Sequence, residues 1–348
     1  MPEPSRPLSA VLIAGGFGTR LLPLTLHRPK HLLEVGGVPF LVHQLGRLAA
    51  AGVQHVVLAT SYRAELFEPV LGDGGRWGMR LDYVQEAEPL GTGGAIRNAA
   101  GALGADPEGA VVVLNGDVLS GHDLAAQLRD FETPREGRPV DVSLHLVEVE
   151  DARAFGCVPT DGDGRVTAFV EKSEHPVTRQ VNAGCYVFRR RVVDQIPAGR
   201  VVSVERETFP GLVSGGALVV GYVENASWRD VGTPAALVAA SADLVLAGGR
   251  TALVDATADV DPSARVDAGS VVGPRSVVGA GAVVSGSVLM PGARVGAGAR
   301  VVDSVLGPGA GAGDGVLLEA VTVGDGARVE AGAATAAGSR VDCGAVVT

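Results

Sequence analysis

Residues suited to holding phosphate come early in the chain. The run Gly15-Gly16-Phe17-Gly18-Thr19-Arg20-Leu21-Leu22-Pro23-Leu24-Thr25 follows directly on a short apolar segment, Ala10–Ala14. Glycines after a strand let backbone N–H groups approach a phosphate closely, and Arg20 adds positive charge. Two familiar phosphate motifs do not fit. A dinucleotide fingerprint needs a third glycine where Leu21 stands, and a P-loop needs Gly-Lys-Ser/Thr. Taken alone, the loop also reads as an ordinary glycine-rich turn.

Charge elsewhere narrows the chemistry. Of 29 basic residues only Lys30 and Lys172 are lysine. Where positive charge alone suffices this composition uses arginine, so these two positions point to a need for a compact ammonium on a flexible stem. Asp117 stands just past the apolar run Val111–Leu114, where a Mg²⁺ ligand for a nucleotide would lie. Asp230, in Trp228-Arg229-Asp230-Val231-Gly232, is a second isolated carboxylate in an apolar and glycine context. Each aspartate singly also reads as a turn or cap residue.

The elements that must position these groups follow from patterning. Ala10–Ala14, Val56–Ala59, Val111–Leu114 and Val142–Val147 read as strands, and Val38–Ala51, Gly94–Leu103 and Asp123–Phe131 as helices. This alternation predicts an α/β, Rossmann-like, mainly parallel sheet, with ligands beyond the carboxyl ends of its strands. Pro234–Leu246 reads as a connecting helix ended by Gly248-Gly249.

From Val260 the pattern changes. A register runs 260, 266, 272, 278, 284, 289, 295, 301, 306, 312, 318, 323, 329, 335, 341 and 347; apart from Ala312 and Thr335, every position is Val or Leu. Steps of six with a recurring five, three per coil, are the signature of a left-handed parallel β-helix of hexapeptide repeats. Such phase is not sustained by a flexible Ala/Gly/Val tail. The expected division is therefore residues 1–233 for the catalytic domain, 234–250 for helix and linker, and 251–348 for the β-helix.

Bulk properties exclude several classes. The formal net charge of -10 argues against a nucleic-acid surface, so an anionic ligand needs a local positive cluster. Three widely spaced cysteines, Cys157, Cys185 and Cys343, give neither a disulfide framework nor a zinc site. The N-terminal residues carry no apolar signal core, and the first hydrophobic run is too short to span a membrane. A cytoplasmic protein is the expectation. None of the seven histidines stands at a metal-ligand spacing, and all precede the β-helix. A histidine-based acyltransferase in the β-helix is thereby disfavoured, leaving that region as an oligomerisation or regulatory surface.

Taken in order, the motifs carry a resemblance. Gly15 to Lys30 resembles the signature of nucleotidyltransferases that make NDP-sugars from sugar 1-phosphates. The similarity continues through Pro89-Leu90-Gly91-Thr92-Gly93-Gly94, Leu114 to Asp117, Phe169 to Lys172, Asn182-Ala183-Gly184 and Trp228 to Pro234. Ser203 to Pro210 and the appended repeat most resemble the guanylyltransferases acting on mannose 1-phosphate. Ser173 departs from the family, which usually has proline after Glu-Lys.

The resemblance implies attack of a sugar-1-phosphate oxygen on the α-phosphorus of an NTP, here GTP, with Mg²⁺ as cofactor. It places Leu12, Ala14, Gly15, Gly16, Gly18 and Thr19 at the nucleotide, with Arg20 on the triphosphate and Lys30 near the scissile bond. It assigns base recognition to Gln85, Gly91 and Thr92, and sugar contacts to Gly156, Glu171 and Asn182. Lys172 would bridge the two phosphates, and Asp117 and Asp230 would hold the metal. Thymidylyl transfer to glucose 1-phosphate shares nearly all of these motifs. A non-catalytic subunit sensing NDP-sugars is the reading from another class, but such proteins tend to lose the charged residues retained here. Self-association through the β-helix is expected, because exposed coil edges favour pairing.

Overall fold

The computed structural model describes residues 8–104, 106–170, 172 and 174–348. They form two compact units: one runs through residue 16 and from Val42 to Trp228, the other comprises Phe17–Leu41 and Arg229–Thr348. Each is described separately.

The first unit is built on a seven-stranded sheet ordered Val219–Val223, Val142–Glu148, Gln180–Arg189, Ala110–Asn115, Ser9–Ala14, His55–Thr60 and Arg80–Gln85. All four strands read from the sequence are present. Pairing is parallel except at Gln180–Arg189, which runs antiparallel to both neighbours. That strand crosses Asn182-Ala183-Gly184, where polar and small residues mask its β pattern. Arg80–Gln85 is masked by alternating polar side chains. Central strands bury both faces: Val11, Val57 and Val113 are fully enclosed on one and Leu12, Leu58 and Val112 on the other, as continuous apolar runs in a covered sheet require.

The helices begin and end close to their predicted places. One spans Phe40–Ala50, because Val38–Pro39 pairs with Glu34–Val35 as a short hairpin before it. Another spans Gly91–Ala99 and tightens into a 3₁₀ turn over Ala100–Ala102. A third, Leu124–Glu132, is capped by Asp123, whose carboxylate accepts from the Ala126 N–H. No helix among the described residues is long and apolar enough to cross a membrane.

The second unit contains the helix Pro234–Ala247, capped by Thr233 and ended at Gly248, and the β-helix. Its short strands stack in three parallel sheets, beginning with Ala252–Val254, Asp259–Val260 and Arg265–Asp267. The predicted register residues line its core, from Val272 through Leu289, Val301 and Leu318 to Val341. Val266, Val284, Val301 and Leu318 lie directly above one another in one sheet. Thr335 breaks the series: it is half-exposed and lies outside any strand. Along one edge buried serines form a ladder, with Ser270 Oγ accepting from Ser287 N (3.1 Å), Ser287 Oγ from Ser304 N (3.1 Å) and Ser304 Oγ from Val321 N (2.9 Å). The ladder satisfies corner amides that the strands leave over.

Candidate functional site

In the first unit the candidate residues gather at strand ends. Leu12 and Ala14 belong to the strand Ser9–Ala14 and are buried. Gly15 and Gly16 follow it. Gly16 is exposed with φ 96°, and a Cβ there would meet nothing within 4 Å. Asp117 lies half-buried in the Gly116-Asp117 turn leaving Ala110–Asn115. The turn is fixed from two sides. Gly116 N donates to the Ile13 carbonyl (2.8 Å), and buried Gln44 donates through Nε2 to the Val118 carbonyl.

Gln85 ends the strand Arg80–Gln85 and is exposed. Gly91 opens the following helix with φ 71°, and a Cβ there would meet the Val202 carbonyl at 2.6 Å, so only glycine fits. Thr92 is committed to structure. Its hydroxyl donates to Glu205 Oε2 (2.9 Å) and accepts from Val204 N (2.9 Å), tying the Gly91 loop to the Ser203-Val204-Glu205 segment.

Gly156 lines a cavity of about 200 Å³ with Phe169, Val170, Glu205, Arg206 and Pro210. Lys172 is exposed just beyond Val170. The expectations for Glu171 and Ser173 fall outside the described residues. Asn182 is held locally, donating to Tyr186 Oη (2.8 Å) and accepting from Gly184 N (3.0 Å). Gly184, at φ 74°, lets Asn115 pass; a Cβ there would stand 2.9 Å from Asn115 Nδ2.

In the second unit three charged candidates share one segment pair. Thr19–Leu21 forms a 3₁₀ turn that leaves Arg20 exposed. Its guanidinium reaches Asp230, with Nη2 3.8 Å from Oδ2. Gly232 makes this approach possible: a Cβ there would stand 2.9 Å from Arg20 Cζ, nearer still to Nη2, and 3.1 Å from Asp230 Oδ1. Gly18, at φ 61°, packs on the stem of Lys30, its Cβ position 3.1 Å from Lys30 Cβ and 3.0 Å from Thr25 Cγ2. Thr25 Oγ1 donates back to the Gly18 carbonyl (2.9 Å).

Several contributing residues carry no sequence signal of their role. Gly232 and Thr25 sit inside the motifs but act through close approach. Glu86 follows Gln85, accepts from Leu90 N through Oε2 (3.2 Å) and keeps Oε1 buried without a hydrogen bond. Burial raises its carboxyl pKa, only partly offset by the Leu90 hydrogen bond.

The first unit also holds a buried polar cluster. Gln127 Nε2 donates to the Ser143 carbonyl (3.3 Å) and hydroxyl (3.2 Å), so Oε1 faces His122 Nε2 (2.7 Å). Glu224 Oε2 faces the other nitrogen, Nδ1, at 2.5 Å. Both ring nitrogens of His122 are thus engaged, one by Glu224 and one by Gln127. His145 stacks on it, centroids 3.8 Å apart and planes 13° apart. Burial, then the neighbouring His122 charge, drives its pKa down to about 3 and keeps it neutral.

Donor atoms of His122, His145 and Glu224 lie within 4.8 Å of one another, a proximity their sequence spacing does not reveal. Stacked rings nevertheless aim their in-plane lone pairs side by side instead of at one point, and His122 has both nitrogens occupied. The arrangement is that of a hydrogen-bonded pair with a stacked ring and not of a metal centre.

The family model described as Nucleotidyl transferase matches residues 9–246, the span holding every residue above. The chain belongs to the nucleotidyl transferase family. A second model, the GMPPB C-terminal domain, matches residues 249–340. A mannose-1-phosphate guanylyltransferase of Mycobacterium tuberculosis is 56% identical over 239 residues, 68% of this chain and 65% of that one. The catalytic subunit beta of mannose-1-phosphate guanylyltransferase from Drosophila pseudoobscura pseudoobscura is 37% identical over 232 residues, 65% of this chain and 59% of that one. The chain thus spans less than two thirds of the length of these relatives. Among solved structures, HddC from Yersinia pseudotuberculosis complexed with GMP-PN is similar at a TM-score of 0.58 and 28% identity, covering 68% of this chain and 99% of that one.

Proposed function

We propose that the chain transfers the guanylyl group of GTP to mannose 1-phosphate, giving GDP-mannose and pyrophosphate. The observation that carries this reading is the 56% identity to a mannose-1-phosphate guanylyltransferase over 239 residues. The guanine-nucleotide complex of HddC supports the same base.

A phosphate oxygen of the sugar attacks the α-phosphorus, the bond from that phosphorus to the bridging oxygen breaks, and pyrophosphate leaves. No covalent enzyme intermediate is required, so the residues act by positioning and by neutralising charge in the transition state. Arg20 and the backbone of Gly15, Gly16 and Gly18 hold the triphosphate. Lys30, its stem packed on Gly18, neutralises charge near the scissile bond. Lys172 draws the sugar phosphate towards the α-phosphate, a task for a compact ammonium on a mobile stem. Gln85 and the Gly91 loop serve base recognition, and Gly156, Glu171 and Asn182 serve sugar binding.

Asp117 and Asp230 fit Mg²⁺ by the chemistry of the donor set, hard carboxylate oxygens at a turn and a strand end. When bound, the ion supplies positive charge to the phosphate oxygens. Arg20 stands beside Asp230, with Nη2 3.8 Å from Oδ2. Self-association through the β-helix rests on its exposed coil edges, which favour pairing.

The test is a matrix of the four ribonucleoside triphosphates and dTTP against mannose and glucose 1-phosphates, with Mg²⁺ and the purified full chain. GTP with mannose 1-phosphate should give the highest kcat/KM. Preference for dTTP with glucose 1-phosphate would assign the chain to thymidylyl transfer instead, and no pyrophosphate from any pair would make it a sensing subunit.

A further inference from the structure

The second unit joins Phe17–Leu41 to the C-terminal residues, and the joint falls on the loop that carries Arg20 and Lys30. Three side chains from the last coils of the β-helix reach it. Asp325 receives Arg28 as a fork, Nη1–Oδ1 3.1 Å and Nη2–Oδ2 2.5 Å. Both side chains are about four-fifths buried, at 23% and 18% exposure, so water competes little for the pair. Arg340 Nη2 donates to the Arg20 carbonyl (2.8 Å). Cys343 Sγ approaches the Pro23 carbonyl at 3.5 Å.

These attachments bracket the loop's own framework. Leu21 N bonds Gly18 O (2.9 Å), Leu24 N bonds Leu21 O (3.0 Å) and Leu26 N bonds Pro23 O (3.1 Å), a chain of single turns in which Leu21 and Leu24 are buried. Consecutive turns of this kind are cheap to open unless something outside them fixes their ends. The β-helix supplies that fixation at residues 20, 23 and 28. The first point is the backbone of Arg20 itself, and the last lies two residues before Lys30.

We propose that the final coils of the β-helix position the phosphate-holding loop, with Asp325 and Arg340 as positioning residues that set where the Arg20 guanidinium and the Lys30 ammonium stand. This rests on the nucleotidyltransferase reading above. It gives the repeat domain a direct part in the reaction, through this chain alone and without requiring a second copy. Arg20 is itself 65% exposed in its side chain, so its placement depends on where its backbone is held. Misplacement of a catalytic contact by about 1 Å is costly in rate even when the fold survives.

Asp325→Asn keeps the size of the side chain and removes the charge that matches the fork; Arg340→Met keeps the stem and removes the donor to Arg20. In the full chain, amide hydrogen exchange should quicken over residues 18–28 in Asp325→Asn while the strands Ser9–Ala14 and Ala110–Asn115 keep wild-type protection. The kcat/KM for GTP should fall roughly tenfold or more with KM for mannose 1-phosphate little changed, and Asp325→Glu should recover most of the loss. Arg340→Met should show the same selectivity, and it decides the matter if Asp325→Asn does not fold. Wild-type loop exchange and wild-type kcat/KM for GTP in the folded variants would overturn the proposal. If the wild-type chain turns over no nucleotide at all, the functional reading fails, while unchanged or quickened loop exchange still decides the attachment.

Discussion

Replacing Gly232 by alanine asks whether the Arg20 guanidinium must lie against Asp230. Glycine is not required there by a left-handed backbone; what excludes a side chain is the passage of Arg20, with Cζ 2.9 Å from the Cβ position. The flexible partner will yield, so the new methyl displaces the arginine head and leaves the backbone in place. Stability should barely move, because the pair is 3.8 Å apart with side chains 65% and 38% exposed, and such surface ion pairs contribute about 0–1 kcal/mol. Activity should move far more. Loss of one preorganised donor to developing charge costs roughly 10²–10³-fold, about 2.7–4 kcal/mol of transition-state stabilisation. Steady-state pyrophosphate release and thermal unfolding, run on the same preparation, separate the two effects. A Gly232→Ala chain with wild-type kcat/KM for GTP would refute both the role of Arg20 and the reason for the glycine.

Lys172→Arg keeps the charge and changes its shape; turnover should fall roughly 10²–10³-fold, and wild-type turnover would sink the argument for an ammonium. Leu318→Ala removes a fully buried register residue and should cost about 2–5 kcal/mol in urea unfolding; a loss under about 1 kcal/mol would mean that the coil collapses to fill the gap. His145 supplies the pH dependence. Its folded pKa of about 3 lies below the ordinary 6.5, so the unfolded chain binds the extra proton between those values. Stability is fully present above pH 6.5 and falls as pH drops towards 3, by about 2 kcal/mol at pH 5. His145→Gln should flatten that part of the stability–pH curve, and an unchanged slope between about pH 5 and 7 would assign it to other groups.

The β-helix was legible because its rule is local. One apolar residue every six or five positions is visible without knowing what touches what, and the exception at Thr335 is the place where no strand forms. The strands Ser9–Ala14 and Ala110–Asn115 were legible for a similar reason, since burial on both faces demands unbroken Val and Leu. Gln180–Arg189 was not, because polar Asn182 and small Gly184 disrupt the pattern of the strand that carries them.

Site residues divide along the same line. Arg20, Lys30, Asp117 and Asp230 stand out by type and context. What holds them does not: Gly232 matters only because Arg20 crosses it, and Asp325 only because Arg28 lies 297 residues away in the chain. His122 and Glu224 meet across 102 residues in the same manner. Thr92 lies within a family motif, yet its hydroxyl is engaged by Glu205 and Val204. That arrangement ties the Gly91 loop to the Ser203-Val204-Glu205 segment.

The most direct measurement is phosphorus NMR of one sample holding the full chain, Mg²⁺, GTP and mannose 1-phosphate. The account predicts that the GTP and mannose 1-phosphate resonances decay together as those of GDP-mannose and pyrophosphate grow in equal amounts. Samples without either substrate should stay unchanged. Pyrophosphate appearing without mannose 1-phosphate, or a spectrum that stays that of the two substrates, would contradict it.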